Sequence, residues 1–237
     1  MNAEWLLIIV AFFTSTLTAI VGLGGGILLL ALMAIILPPI AIIPVHGAVQ
    51  LCSNVTRAWF GRTDLQIGLL MPFATGVILG GIFGIPALQS FPATALPLPL
   101  GIFILLLTWL PQGPATFRLP GKFFTLGLVN GFVTLFVGAT GPLNMPVLLR
   151  HGLTGNQAVA TMAALMTTVH LVKIVIFGLV GFAFATYLPL IAGMVISVTA
   201  GSWFGTRIRH RTPGGLLRWV IKILLTVLAL RMIWMAL

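Results

Sequence analysis

His46, Gln50, Ser53, Asn54 and Arg57 are spaced at +4, +7, +8 and +11 along an otherwise apolar stretch. At about 100° per residue they share one helical face roughly 100° wide. A polar face on so apolar a helix must look into the protein or at water. A second face of matching order carries Met162, Met166, His170 and Lys173. Two readings stand for the cations: Arg57 and Lys173 approach a bound anion, or they snorkel to a nearby interface. Two stand for His46 and His170 as well: satisfied buried donors, or the proton carriers of a chain with few other groups titrating near neutral pH. The second keeps protons open as a coupling ion.

Two glycine-rich breaks precede these faces, Gly22-Leu23-Gly24-Gly25-Gly26 and Gly138-Ala139-Thr140-Gly141-Pro142. A helix that starts at Gly26 or Pro142 presents unpaired N–H groups and the positive end of its dipole. Glycine permits close backbone approach, and proline at a first helical position has no N–H to lose. Two such starts meeting near a midplane make an anion site. The candidate ligands are the N–H groups of Gly24, Gly25, Gly26, Thr140 and Gly141, with Asn144, His46, Asn54, Arg57, His170 and Lys173 around them. The competing reading is helix packing, in which glycines let backbones touch. No βαβ context supports a dinucleotide site.

Composition narrows the chemistry further. The chain holds two carboxylates, Glu4 and Asp64, against twelve Lys and Arg. Carboxylate-pair hydrolysis and acidic Mg²⁺ or Ca²⁺ cages need two or more anionic oxygens in one place. A single cysteine, Cys52, supports neither a disulfide nor a cysteine zinc site, so no metal and no cofactor is expected. The basic residues are too scattered for a stripe that tracks nucleic acid. With 59% apolar and 6% charged residues among 237 and a mean hydropathy of +1.20, the chain lacks the polar surface of a soluble domain, which carries about 25% charge. An all-α integral membrane protein is the class left.

A span needs about 20 apolar residues. The first apolar stretch, 5–37, is interrupted at its glycines. Single spans are expected at 43–60, 65–88 and 94–110. A Pro/Gly-rich connector over 111–122, with Arg118 and Lys122, then separates a second half. There 123–149 is again interrupted, and spans are expected at 156–177, 183–205 and 216–236. The start shows no basic n-region or cleavage pattern, so a removable signal is not expected.

Counting relates the halves. Gly22 and Gly138, Gly25 and Gly141, and Arg57 and Lys173 are each 116 apart, and Phe83-Gly84 matches Phe204-Gly205 at 121. Duplication follows, with repeats at 1–110 and 123–237. Equivalent loops carry opposite charge signals. Arg62 follows the second segment while 178–182 is uncharged; 89–92 is uncharged while its counterpart holds Arg207, Arg209 and Arg211. Lys- and Arg-rich short loops stay cytoplasmic, so the repeats are expected to be inverted, as in secondary transporters. Inversion needs an odd number of crossings per half, so each broken segment is expected to be a re-entrant hairpin of two half-helices. The amino terminus is then outside, and Arg231 is an exception to the charge rule. Arg218 and Lys222 are read as contacts to lipid headgroups.

The glycine motif from Val21 to Ile27, the His46–Asn54–Arg57 helix and the repeated break at 138–142 together resemble the TauE/SafE family of sulfite and organosulfonate permeases, over essentially the whole chain. The resemblance implies a secondary carrier of the bacterial cytoplasmic membrane for small sulfur-containing anions such as sulfite, sulfonates or sulfoacetate, in either direction. Thr140 stands where the second repeat of this family often has glycine. An anion channel is the nearest alternative, since the same dipoles serve it. A membrane-embedded enzyme or assembly partner has no nucleophile–base–orienter set behind it. The topology has a direct check: labelling from either side of the membrane is expected to place 89–92 and 178–182 on the same, outer face. Opposite faces would overturn the inversion.

Overall fold

The computed structural model describes residues 3–21, 24–110, 121–208 and 214–236. Gly22, Leu23, connector residues 111–120, Arg209 and Arg211 lie outside the described residues. Among those described there are ten α-helices and no strand: α1 Ala3–Val21, α2 Gly25–Ile36, α3 Pro39–Phe60, α4 Leu70–Ser90, α5 Pro97–Trp109, α6 Lys122–Val137, α7 Gly141–Arg150, α8 Gly155–Leu179, α9 Leu188–Ile208 and α10 Gly214–Ala236. Five stretches are long and apolar enough to cross a bilayer: Glu4–Val21, Ile67–Ser90, Gly155–Leu179, Phe184–Ile208 and Arg218–Ala236. Helices suit this depth because each satisfies its own backbone, which lipid cannot do.

Both expected breaks are present. Gly24 has φ +97° and caps α2; Gly138 has φ +71° and ends α6. These left-handed values favour glycine. The arms of the two hairpins differ from the expected half-helices. Their first arms have 19 and 16 residues, their second arms 12 and 10. The first arms are long because each lies along a complete neighbouring helix, α1 on α9 and α6 on α4. Phe136 near the end of α6 packs edge-on against Phe91, just past the end of α4. A second difference is α5, which has only 13 helical residues. Pro97 sets its start, and a 3-10 turn over Ala93–Ala95 uses up the rest of the expected span.

Glycines set these long contacts. A Cβ on Gly80 of α4 would overlap the Leu128 carbonyl of α6, and one on Gly201 of α9 would overlap the Phe12 carbonyl of α1. Gly127 and Gly131 press in the same way on Phe73 and Val77. Backbones meet at small residues because lipid gives apolar faces no reason to associate, leaving dispersion at close range to hold them. Around α2, α3 and α5 lies the main apolar core, including Leu29, Leu30, Met33, Ile42, Leu100 and Ile104. At one end of the bundle, guanidinium groups lie over indoles, Arg62 on Trp59 and Arg207 on Trp203. This is called the basic end below. Lys222 lies against Trp109 and Trp219, and the opposite end carries Phe91 and the Phe182–Phe184 ring pair.

Close packing at α4–α6 has a measurable consequence. Gly80→Ala is expected to lower stability in detergent by about 1–3 kcal/mol, because backbone must move to admit the methyl. Gly178→Ala, with no atom within 4 Å of the added carbon, is expected to leave the melting temperature unchanged.

Candidate anion site between the helix breaks

A central cavity of about 60 Å³ lies where the two breaks meet α3 and α8. From α3 it receives His46, Gln50, Asn54 and Arg57, and from α8 Met162, Met166 and His170. Helical spacing accounts for this: 46, 50, 54 and 57, like 162, 166 and 170, recur every three or four residues on one face. Gly24, Gly26, Ala139, Gly141 and Pro142 close it from the breaks, and Thr18 from α1. The helix starts that face it, at Gly25 and Gly141, have no side-chain cap, so first-turn N–H groups remain for a ligand.

The polar wall is organised by hydrogen bonds. His46 Nε2 lies 2.9 Å from the Gly26 carbonyl. A carbonyl only accepts, so Nε2 carries the proton and Nδ1 is bare. The His46 and His170 rings stand 5.9 Å apart at 77°. Buried atoms without a protein partner include His46 Nδ1, His170 Nδ1 and Thr140 Oγ1, a concentration of unmet polar groups that native interiors avoid. Asn54 Nδ2 donates to the Gln50 carbonyl at 2.8 Å, leaving its Oδ1 to accept from Arg57 Nη2 at 2.7 Å. Arg57 also donates from Nε to the Ser53 carbonyl at 3.4 Å. The guanidinium thus stays half-buried beside the cavity.

Four candidates are placed elsewhere. Gly25 does not line the cavity; its missing Cβ makes room for the Thr14 carbonyl and the Thr18 hydroxyl. Asn144 is fully buried, accepts from Asn130 Nδ2 at 2.8 Å and points its own Nδ2 at Met166 Sδ, 3.2 Å away. Thr140 caps α7 beside the lining residues Ala139 and Gly141. Lys173 is 0% exposed, so it does not snorkel. Its Nζ donates to the Gly138 carbonyl at 2.7 Å, where the negative end of the α6 dipole favours a cation.

Residues that the site reading left out also take part. Gln50 lies over Gly26, where a Cβ would come within 3.2 Å of its Nε2; its place in the α3 stripe was the available signal. Ser53 turns away from the cavity into a hydroxyl cluster with Ser15 and Ser202, linking α3, α1 and α9. Nothing in the spacing of Ser15 or Ser202 marks that cluster. Two further cavities adjoin the centre. One of about 130 Å³ shares Arg57 with it, and one of about 250 Å³ shares Gly24, Ile27 and Pro142 and is edged by Arg218 and Lys222.

A protein-family model described as "Sulfite exporter TauE/SafE" matches residues 7–232. No curated protein and no solved structure matches the chain. The internal bonds of Asn144 lead to a prediction. Asn144→Ala is expected to cost about 1–3 kcal/mol of stability by stranding its buried partners, with anion affinity unchanged in a ligand-titration melt. A loss of affinity without a loss of stability would return Asn144 to the ligand shell.

Proposed function

We propose, because this chain belongs to the TauE/SafE sulfite exporter family, that it is a secondary carrier that binds a compact sulfur oxoanion such as sulfite in the central cavity. One observation carries this reading: a small cavity that joins two uncapped helix starts, an arginine and two histidines, each with an unpartnered ring nitrogen. N–H groups at Gly24, Gly26 and Gly141, which line the cavity, hold the oxygens. Arg57 and Asn54 supply charge-assisted bonds, which are about twice as strong as neutral ones. Size sharpens the substrate class. The chamber measures about 60 Å³, where about 10–15 Å³ on the same scale admits one water. That suits a sulfite-sized ion better than an extended sulfonate or sulfoacetate.

Duplication is part of the proposal, with repeats at 1–110 and 123–237 joined by 111–122. It is supported by element ends in one register: α1 and α6 end at 21 and 137, α2 and α7 start at 25 and 141, and α3 and α8 start at 39 and 155, all 116 apart. The cavity walls keep this register, His46 opposite Met162, Gln50 opposite Met166 and Asn54 opposite His170. In this reading the repeats are inverted across the cytoplasmic membrane with the amino terminus outside, and one half rocks against the other around the fixed site. His46 and His170, each with an unpartnered Nδ1, are where a coupled proton would reside.

The test is a thermal-shift and vesicle-uptake screen with sulfite, sulfate, taurine, sulfoacetate and an uncharged sulfone. Sulfite is expected to give the largest stabilisation and saturable uptake, and Arg57→Gln to weaken its binding about tenfold or more, the scale of a hydrogen bond to a charged group. Equal shifts with the uncharged sulfone would end the anion-site reading.

A further inference from the structure

The 116-residue register allows the two ends of the central cavity to be compared wall by wall. Toward the basic end the cavity meets a vestibule of about 130 Å³, with Arg57 in the walls of both. Besides Arg57, Phe60, Asp64 and Asn156, that vestibule is lined by smaller residues, among them Ala19, Gly61, Val159 and Ala160. The positions in register with these four at the opposite end are Leu135, Phe177, Ile43 and Pro44. Leu135, Ile43, Ile176 and Phe177 are all buried in the main apolar core. Small side chains leave space at one end, and large apolar ones fill the equivalent space at the other.

The two cations divide in the same way. Arg57 is half-buried and borders both chambers. Lys173 is fully buried, its stem running across α3 at Gly47, where a Cβ would lie 2.7 Å from Cε. Its ammonium ends on the carbonyl of Gly138, a residue that itself packs on Leu30 and Ile43. One side chain of α8 therefore ties the end of α6 to the apolar cluster and to α3.

We propose that Leu135, Ile43, Ile176 and Phe177 are the gate that closes the central cavity away from the basic end, and that Lys173 is its positioning residue. The transport role of this gate rests on the carrier reading above; its existence as a closed seal does not. Opening that end by moving the end of α6 away from α3 and α8 breaks the Lys173–Gly138 bond, which joins α8 to α6. His170, three residues before Lys173, lines the cavity. An anion there offers the ammonium a charged partner in place of a neutral carbonyl, which links occupancy to release of the gate.

Thiol accessibility tests this in a Cys52→Ser background, with a cysteine placed at either of two positions in register, Val159→Cys or Ile43→Cys. A small water-soluble methanethiosulfonate is expected to label position 159 far faster than 43. Lys173→Met keeps the apolar stem and removes the donor. It is expected to speed labelling at 43 about tenfold, the scale of a hydrogen bond to a charged group, and to slow it at 159. Ile176→Ala thins the seal without touching the ammonium and is expected to speed labelling at 43 as well, so the gate stays testable if the lysine variant does not fold. Unchanged rates at 43 in both folded variants would overturn the proposal. Sulfite thermal shifts on the same samples separate the two readings. Sulfite binding without a labelling contrast removes the gate alone, and a contrast without any anion effect removes the cargo alone.

Discussion

A helix end without water leaves N–H or carbonyl groups that hydrocarbon cannot satisfy, and here α1 gives way to α2 and α6 to α7 at two glycine breaks. Everything around the centre responds to that constraint. The carbonyl end of α6 is met by a lysine ammonium, the carbonyl of Gly26 by a histidine ring, and the start of α7 is anchored through Asn144 to α6. The N–H starts of α2 and α7 are the exception, since no side chain caps either. The carbonyl end of α6 is met by a side chain while the amide ends of α2 and α7 have no side-chain cap, and that difference in sign favours an anion in the chamber.

Equivalent positions in the two halves do different work. Asn54 and His170 are 116 apart and both face the cavity, yet one holds a guanidinium and the other stacks edge-on to a ring. Arg57 and Lys173 share the register but not the environment, one half-buried at a vestibule and one sealed in the core. If the scaffold is duplicated as proposed, its diverged walls suit the proposed carrier, whose two ends must not be open together. The long glycine-faced contacts of α1 with α9 and of α6 with α4 each run between a helix before the connector and one after it.

Much of this was legible in the residues alone. His46, Gln50, Asn54 and Arg57 of the α3 stripe, Met162, Met166 and His170 of the α8 face, and part of each glycine cluster border the cavity, because helical periodicity determines which residues share a face. Periodicity does not say what that face meets. Gly25 and Gly26 are adjacent and chemically identical, yet one admits the carbonyl of Thr14 and the other lies under Gln50. The snorkelling option for Lys173 fell for the same reason: depth along a helix says nothing of a carbonyl waiting at Gly138. The unequal arms at the two breaks are not visible in hydropathy, which registers apolar residues, whereas the partner helix along which a long arm lies is distant in sequence. The short α5 was misjudged because prolines before it turn apolar sequence into 3-10 structure.

The scarcity of carboxylates takes on a physical meaning at the centre. Arg57 and Lys173 donate to Asn54, Ser53 and Gly138 oxygens, all of them neutral acceptors. A buried charge with only neutral partners keeps much of its desolvation penalty. Supplying an internal carboxylate would relieve that penalty permanently and would also cancel the field that draws an anion in. Leaving the cations without one makes the cargo itself the missing partner. A ligand moves a conformational equilibrium only through a difference in its affinity for the two states. Here the difference has a structural source, because one cation already borders the chamber while the other is held on a carbonyl that it must leave.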